Sequence, residues 1–178
     1  MHYKIMIVDD EPANLRTLER LFRQDYQVLT ALSGNEALTL LEQHDVALLI
    51  SDQRMPAMTG TELMMRTVAI RPQMVRILLT GYTDVDALID AINSGLVYRY
   101  LTKPWNNSDL RLTVSRALEH YEMVKAKHLL GMENQRLRVR LKEIGELAAE
   151  GLEQKNVVPK NEVDEMDSPK PEVYELLA

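Results

Sequence analysis

Short apolar runs alternate with longer amphipathic segments along the chain up to Trp105. Each run is too short for a typical helix, and the third is too apolar for a strand with one solvated face. That third run therefore predicts a strand buried on both faces of a parallel sheet. Five runs, each followed by a helical pattern, predict a doubly wound α/β domain with helices on both faces. The predicted strands cover residues 5–8, 26–31, 46–50, 75–80 and 97–101.

Start signals precede several of the predicted helices. Pro12 suits the first turn of a helix, where the N–H that proline lacks would have no partner within the helix. Ser33 and Glu36 have the spacing of a capping box, in which two side chains satisfy the first backbone N–H groups. Thr59 precedes the third helical segment, and Asp84 is the expected cap of a fourth over residues 87–92.

A single extended helix is predicted over residues 106–152. Between Asn107 and Glu150 the chain contains no proline and only two glycines, and Asn107 or Ser108 is the expected N-cap. A helix of this length far exceeds the usual length of about 11 residues. It predicts either a dimeric coiled coil or a helix that folds back on the rest of the protein, and the heptad pattern favours the coiled coil.

Apolar residues in this helix recur every seven positions, as they do in coiled coils. If the leucine series occupies position d, Asn134 falls at position a, where asparagine is associated with the register of parallel two-stranded coils. Glu133 and Arg138 then lie at g and e positions that can pair across a parallel dimer. Lys127, at another a position, and the two glycines weaken the pattern. The predicted homodimer contact, called the dimer seam below, consists of Met123, Leu130, Asn134, Leu137, Leu141 and Ile144.

The last stretch, residues 153–178, carries seven acidic side chains against three lysines and contains three prolines. This composition predicts an acidic, disordered tail. Residues 173–178 are either a short motif for a partner or a solvated terminus. The predicted organisation is therefore a globular domain over residues 1–120, an extended helix over 106–152 and a tail over 153–178.

Composition excludes several classes of protein. The net charge of −6 argues against a general nucleic-acid-binding surface, which would be basic. The absence of cysteine excludes disulfides, thiolate metal sites and cysteine nucleophiles. The first residues meet acids too early for a signal peptide, and no stretch has the roughly 20 apolar residues of a membrane span. We therefore expect a cytoplasmic protein with no membrane span.

Chemically useful side chains follow four of the predicted strands. Asp9 and Asp10 follow the first strand, Asp52 the third, Thr80 closes the fourth, and Lys103 follows the fifth. Carboxyl ends of parallel strands meet at one edge of the sheet, where ligands of α/β proteins bind. Clustered carboxylates repel one another unless a cation intervenes, and an all-oxygen ligand set suits Mg²⁺ (or Mn²⁺). Together with a lysine and a hydroxyl, these groups predict a phosphoryl-binding site with an aspartate nucleophile.

With these motifs, the chain resembles the response-regulator receiver domains of two-component signalling. The resemblance spans about residues 3–120. It implies a (βα)₅ receiver fold with strand order 2-1-3-4-5, and it implies that Asp52 is the phosphoacceptor for a histidine kinase or a phosphotransfer protein. The motifs that carry it are Ile7-Val-Asp-Asp-Glu-Pro12, Ile50-Ser-Asp-Gln-Arg-Met-Pro56 with Gly60, Leu79-Thr-Gly81 and Tyr100-Leu-Thr-Lys-Pro104.

The resemblance also implies roles for the surrounding residues. Asp10 and Asp52 would ligate Mg²⁺ together with the backbone carbonyl of Arg54, and Asp9 would act largely through bound water. Lys103 would contact the phosphoryl group. Thr80 and Tyr100 match the family's switch pair, whose hydroxyl and ring move inward together on phosphorylation. From the residues alone, Tyr100 could equally remain packed as an ordinary strand aromatic.

The sequence shows no output domain after the predicted receiver, because residues 106–152 contain no metal-binding cluster, no phosphate-cradling loop and no basic recognition helix. The first function class is a phosphorylation-controlled protein that dimerises through its long helix and binds an unknown downstream partner. The second is the receiver of a larger enzyme, such as a cyclic-dinucleotide phosphodiesterase, whose catalytic domain lies elsewhere. An inactive scaffold is disfavoured, because Asp52, Thr80 and Lys103 are all present.

Overall fold

The computed structural model of the chain describes residues 3–81 and 95–155, with side chains described through residue 148 in the last helix. Five parallel strands form one sheet in the order β2-β1-β3-β4-β5, as the family resemblance predicts. The predicted helix over residues 87–92 and its cap Asp84 lie outside the described residues. The elements are β1 (Lys4–Val8), α1 (Pro12–Phe22), β2 (Gln27–Ala31), α2 (Gly34–Gln43), β3 (Leu48–Asp52), α3 (Gly60–Ile70), β4 (Val75–Thr80), β5 (Arg99–Thr102) and α4 (Asn107–Lys155).

Both faces of the central strands are buried, which confirms the interpretation of the unbroken apolar runs. Along β1, Ile5 and Ile7 join a core with α1 and the first turns of α4, while Met6 and Val8 join a second core with α2 and α3. This alternation follows from the two-residue period of a strand. The sheet therefore holds its carboxyl-terminal edge rigidly between two apolar layers.

The last strand differs from the other four. β5 begins at Arg99, two residues later than predicted, and Arg99, Tyr100 and Thr102 are exposed. β5 lies at one edge of the sheet, where it pairs with β4 alone, and it is more exposed than β2 at the other edge. Of the predicted run, Val97 is buried and precedes the strand.

Helix capping agrees with the predicted signals in part. Thr59 and Glu62 form a complete capping box at the start of α3. At α2, Ser33 accepts the backbone N–H of Glu36, but the Glu36 carboxylate accepts the N–H of Leu32, so the predicted box is only half formed.

The expected N-cap of the long helix is wrong. Asn106, rather than Asn107 or Ser108, caps α4, because its side-chain oxygen accepts the backbone N–H groups of Ser108 (2.8 Å) and Asp109 (3.3 Å). Asn107 is already helical.

Two arginines hold the carboxyl-terminal ends of α2 and α3. Arg71 donates to the carbonyls of Leu41 (3.1 Å) and His44 (3.0 Å) at the end of α2. Arg76 is buried in β4 and donates to the carbonyl of Arg71 at 2.7 Å. Burial lowers the pKa of Arg76 to about 10, so the guanidinium stays charged at neutral pH. A cation suits the negative end of a helix dipole, so both contacts fix helices on one face of the sheet.

The chain divides into two compact units, Met1–Met132 and Glu133–Ala178. Within the first unit, one face of α4 is buried at three- to four-residue spacing by Leu110, Val114, Ala117, Leu118 and Tyr121. In the second unit the structure describes helix only. All six residues of the dimer seam are exposed. Among the described residues, no helix has both the length and the apolar character needed to cross a membrane.

Candidate functional site

The carboxyl-terminal edge of the sheet brings three of the predicted side chains into direct contact. Asp9 follows β1, Asp52 ends β3, and Lys103 follows β5. Parallel pairing aligns these strand ends: Asp52 lies beside Leu79, and the backbone N–H of Lys103 donates to the carbonyl of Thr80 at 2.7 Å. Residues distant in sequence therefore meet because the strands that carry them end together.

Lys103 bridges the two aspartates. Its ammonium lies 2.5 Å from Asp52 Oδ1 and 3.0 Å from Asp9 Oδ2. Burial by itself lowers the pKa of Lys103, but hydrogen bonds to Asp52 and Asp9 and the charge of both carboxylates outweigh it, so the pKa lies above its ordinary value. The lysine is therefore a permanent cation at neutral pH, and it balances the charge of two acids that would otherwise repel each other.

Asp9 is 1 % exposed and is surrounded by hydrogen-bond donors. Its Oδ1 accepts the backbone N–H of Glu11 (2.9 Å), and the Asn14 carboxamide donates to Oδ1 (3.0 Å) and Oδ2 (3.1 Å). Lys103 completes the set at Oδ2. Sequence analysis did not single out Asn14. Its position in the sequence could have indicated this contact, because Asn14 lies in the first turn of a helix that starts beside Asp9.

Asp52 is 6 % exposed and accepts fewer hydrogen bonds than Asp9 does. Besides Lys103, the donor to Asp52 within residues 3–81 and 95–148 is the backbone N–H of Arg54, which reaches Oδ2 at 2.9 Å. This bond places the Arg54 backbone N–H beside the carboxylate. The Arg54 carbonyl, the expected metal ligand, belongs to the next peptide unit, and its role remains a prediction. Asp10 is half-buried, next to Asp9 in the chain.

The oxygen donors of this edge suit Mg²⁺ by their chemistry, because carboxylates and a backbone carbonyl are the ligands it prefers. Within the ranges 3–81 and 95–148, however, no three acidic or histidine side chains converge as a preformed metal cluster. The cation between Asp9 and Asp52 is instead the ammonium of Lys103. The donor types at this edge fit the ion, and the direct ligation by Asp10 and Asp52 that the sequence predicts remains a prediction.

The loop between β3 and α3 is fixed by the residue after Asp52. The Gln53 side-chain oxygen accepts the backbone N–H (3.1 Å) and the hydroxyl (2.7 Å) of Thr61, and its carbonyl accepts the N–H of Gly60. A Cβ atom at Gly60 would overlap the carbonyl of Asp52 and the Leu78 side chain. Glycine is therefore required for α3 to start this close to Asp52. Gly60 belongs to the quoted motifs, whereas the role of Gln53 was not foreseen.

The expected switch pair lies on neighbouring strands. Thr80 is 1 % exposed at the end of β4, and its hydroxyl donates to the carbonyl of Gly81 at 3.0 Å. Tyr100 lies on β5 beside Leu78 and is 43 % exposed. The tyrosine ring is thus outward in this structure and is not packed as a core aromatic. The movement of the two side chains remains a prediction.

Comparison with known proteins identifies the same region. A family model described as "Response regulator receiver domain" matches residues 5–115, which is more than half of the chain. Over 129 residues, or 72 % of its length, the chain is 36 % identical to the hydrogenase transcriptional regulatory protein HoxA of Cupriavidus necator, of which it covers 27 %. The chain therefore spans about a quarter of the length of the curated relatives it matches.

Solved structures agree with the fold. One described as an adenylate cyclase from Rhodopirellula baltica superposes with a TM-score of 0.71 at 35 % identity, over 73 % of this chain and 97 % of the other. The signal receiver domain of an HD domain-containing protein from Pseudomonas fluorescens gives a TM-score of 0.66 at 37 % identity, over 69 % and 99 %. The residues that the family model matches, 5–115, include Asp9, Asp52 and Lys103.

Proposed function

This chain belongs to the response regulator receiver domain family, and we propose that it receives a phosphoryl group on Asp52 from a histidine kinase or a phosphotransfer protein. The observation that carries the proposal is the Lys103 ammonium, which contacts both Asp52 and the buried Asp9 at the end of the sheet. An aspartate held beside a fixed cation and a backbone N–H is equipped to accept a dianionic group.

The proposed transfer is a substitution at phosphorus. A carboxylate oxygen of Asp52 forms a bond to the phosphorus of a phosphohistidine, and the phosphorus–nitrogen bond breaks. The electron pair of that bond returns to the imidazole of the donor, and the product on Asp52 is an acyl phosphate. Lys103 is already within reach of the incoming oxygens and offsets their charge. Asp10, Asp52 and the Arg54 carbonyl would hold Mg²⁺ (or Mn²⁺), which when bound supplies further positive charge to the transferring oxygens.

The proposed switch involves the neighbouring strands β4 and β5. A phosphoryl group on Asp52 adds acceptor oxygens and negative charge near the end of β4. The Thr80 hydroxyl would turn from the Gly81 carbonyl towards these oxygens, and the space it leaves would take the Tyr100 ring. Support comes from the position of Tyr100, which is 43 % exposed and therefore has surface that an inward movement would bury. The exposed face of β5 would change as a result.

The proposed output is protein contact through α4. The exposed heptad residues of the dimer seam support a homodimer, and the downstream partner would read the switched face or the helix. The curated relatives are named as transcriptional regulatory proteins, which favours a regulator over the receiver of a phosphodiesterase. We include in the proposal the cytoplasmic location expected from the sequence.

The test is phosphorylation of the purified chain by acetyl phosphate with Mg²⁺, followed by intact mass. We expect the wild type to gain one phosphate and Asp52→Asn to gain none, because an amide is not a nucleophile for this reaction. The matched control is Asp45→Asn, which removes an exposed carboxylate after α2 and should label like the wild type. Label that persists in Asp52→Asn would place the phosphoacceptor elsewhere.

A further inference from the structure

We propose that Asn14 is a positioning residue that occupies the acceptor sites of Asp9 and thereby keeps this carboxylate from ligating a metal ion directly. The inference rests on the proposed function, because it concerns the same cation site. It assigns to Asn14 control over which divalent cation the site prefers.

The first step is the count of donors around Asp9. A carboxylate offers about four lone-pair positions, two on each oxygen. In this structure Oδ1 accepts from Glu11 N and from Asn14, and Oδ2 accepts from Asn14 and from Lys103. All the positions are taken, and half of the contacts come from one carboxamide. Asp9 is also 1 % exposed, so water cannot easily replace a donor that is lost.

The second step is the contrast with the other two acids. Among the described residues, Asp52 accepts from Arg54 N and Lys103, one at each oxygen, so these two contacts leave a lone-pair position on each oxygen. Asp10 is half-buried and makes no hydrogen bond or ion pair within the part of the chain that the structure describes. A cation that arrives therefore finds acceptor positions on Asp10 and Asp52, and on Asp9 only by displacing a donor.

The third step is the anchoring of Asn14 itself. Asn14 lies in the first turn of α1, and its backbone N–H donates to the Glu11 carbonyl at 3.0 Å. Its carboxamide also approaches Glu11 Oε2 at 3.4 Å. The carboxamide is thus held between Asp9 and Glu11 by the start of the helix, which is a rigid support.

Loss of the carboxamide has a consequence that depends on the cation. Two acceptor positions on a buried carboxylate become free, and we expect Asp9 then to turn towards the cation as a third carboxylate, an arrangement that the described residues do not have in this structure. Ca²⁺ takes six to eight oxygen ligands in flexible geometry, whereas Mg²⁺ keeps a tight octahedron and several waters. The additional ligand therefore benefits Ca²⁺ far more than Mg²⁺, and the preference of the site shifts towards the larger ion.

The experiment is a titration of the full chain with Mg²⁺ alone and with Ca²⁺ alone, monitored by the fluorescence of Trp105, the only tryptophan, two residues after Lys103. For Asn14→Ala we expect the Ca²⁺ dissociation constant to fall about tenfold and that of Mg²⁺ to change less than about threefold. Asn14→Gln keeps a carboxamide donor and should restore most of the wild-type ratio. The matched control is Thr17→Ala, one turn along α1, where the hydroxyl bonds only the Ala13 carbonyl.

Three outcomes decide the matter. A Ca²⁺-to-Mg²⁺ ratio in Asn14→Ala that equals that of Thr17→Ala overturns the inference while the proposed function stands. The inference is also overturned if the Ca²⁺-to-Mg²⁺ ratio shifts equally in Asn14→Ala and Asn14→Gln. The carboxamide donor, which only the glutamine variant keeps, would then have no effect on the preference of the site. Wild-type protein that neither binds Mg²⁺ nor accepts phosphate from acetyl phosphate defeats the proposed function itself. If Asn14→Ala does not fold by circular dichroism, Asn14→Ser carries the same comparison.

Discussion

Ala57 adopts a positive φ of 64° in the loop that follows Asp52, a conformation that residues with a Cβ atom rarely take. The loop has to bury Met55 and Met58 on the α2 and α3 side of the sheet and still begin α3 at Gly60, against the Asp52 carbonyl. The turn at Ala57 satisfies these demands together. Strain beside the proposed phosphoacceptor is thus held by the packing of two methionines.

We predict that Ala57→Gly stabilises the protein by about 0.5–1 kcal/mol. A left-handed alanine costs roughly 1–2 kcal/mol, and the greater freedom of glycine in the unfolded chain returns part of that gain. Urea unfolding should show a higher midpoint with the same slope. The control is Ala13→Gly in the first turn of α1, which should lower stability because its backbone is helical. Equal losses in both variants would mean that Ala57 is not strained.

The sequence predicts the charged residues of the site, but it does not predict the residues whose hydrogen bonds position them. Asp9, Asp52 and Lys103 were predicted to meet because each follows a strand, and parallel strands end at one edge. Asn14 and Gln53 act through side-chain contacts set by the entry angles of α1 and α3. Asn14 lies in a first helical turn and Gln53 in a loop, and polar residues are common at both kinds of position on solvated surfaces, so residue type and spacing alone do not reveal their partners.

The first turn of α3 is capped by a charged side chain, the carboxylate of Glu62. Glu62 accepts the backbone N–H of Thr59 at 2.8 Å, and the Thr59 hydroxyl accepts the N–H of Glu62 at 3.2 Å. The hydrogen bond from the Thr59 backbone, then that from its side chain, lowers the pKa of Glu62. A carboxyl group with a lowered pKa in the folded state stabilises above its unfolded pKa and loses that contribution as pH falls through the folded value.

We therefore predict that Glu62→Gln lowers the melting temperature near neutral pH and that the difference from wild type shrinks as the pH falls below about 4. Melting curves of both proteins between neutral and acidic pH measure this. Glu42→Gln, in the last turn of α2, is the matched control, since a carboxylate at that end of a helix opposes the dipole. A difference between wild type and Glu62→Gln that grows on acidification would contradict the assigned role of the carboxylate.

The elements differ in how well their pattern predicts them. Central strands were placed within two residues, because burial on both faces leaves an unbroken apolar run. The edge strand β5 was predicted to start two residues too early, because the apolar run includes the buried Val97, which precedes the strand. The α4 cap was missed because Asn106, Asn107 and Ser108 are all good capping residues, and only the geometry of the loop after Lys103 selects the first.

Helix α4 exposes a series of large apolar side chains. Within the described part of the second unit, Leu137, Leu141 and Ile144 are exposed on the heptad face, and none has a buried role in this chain. Burial of each such side chain in a partner contributes about 1.5–3 kcal/mol. The partner we propose is a second copy of this chain, in which Asn134 would lie opposite its own counterpart. If so, the stability of the helix depends on protein concentration.

We predict that the double substitution of Leu130 and Leu137 by glutamine weakens the homodimer at least about a hundredfold, since four leucines leave each paired seam. Glutamine keeps helix propensity, so the helix itself should survive by circular dichroism. Light scattering over a range of concentrations should give a dimer for the wild type and a monomer for the variant. Leu129 and Val139 are as exposed as the seam leucines but lie outside the heptad positions, so their double substitution by glutamine should leave the dimer intact. A wild-type monomer, or equal losses in both double variants, would mean that the apolar surface of α4 serves a different partner.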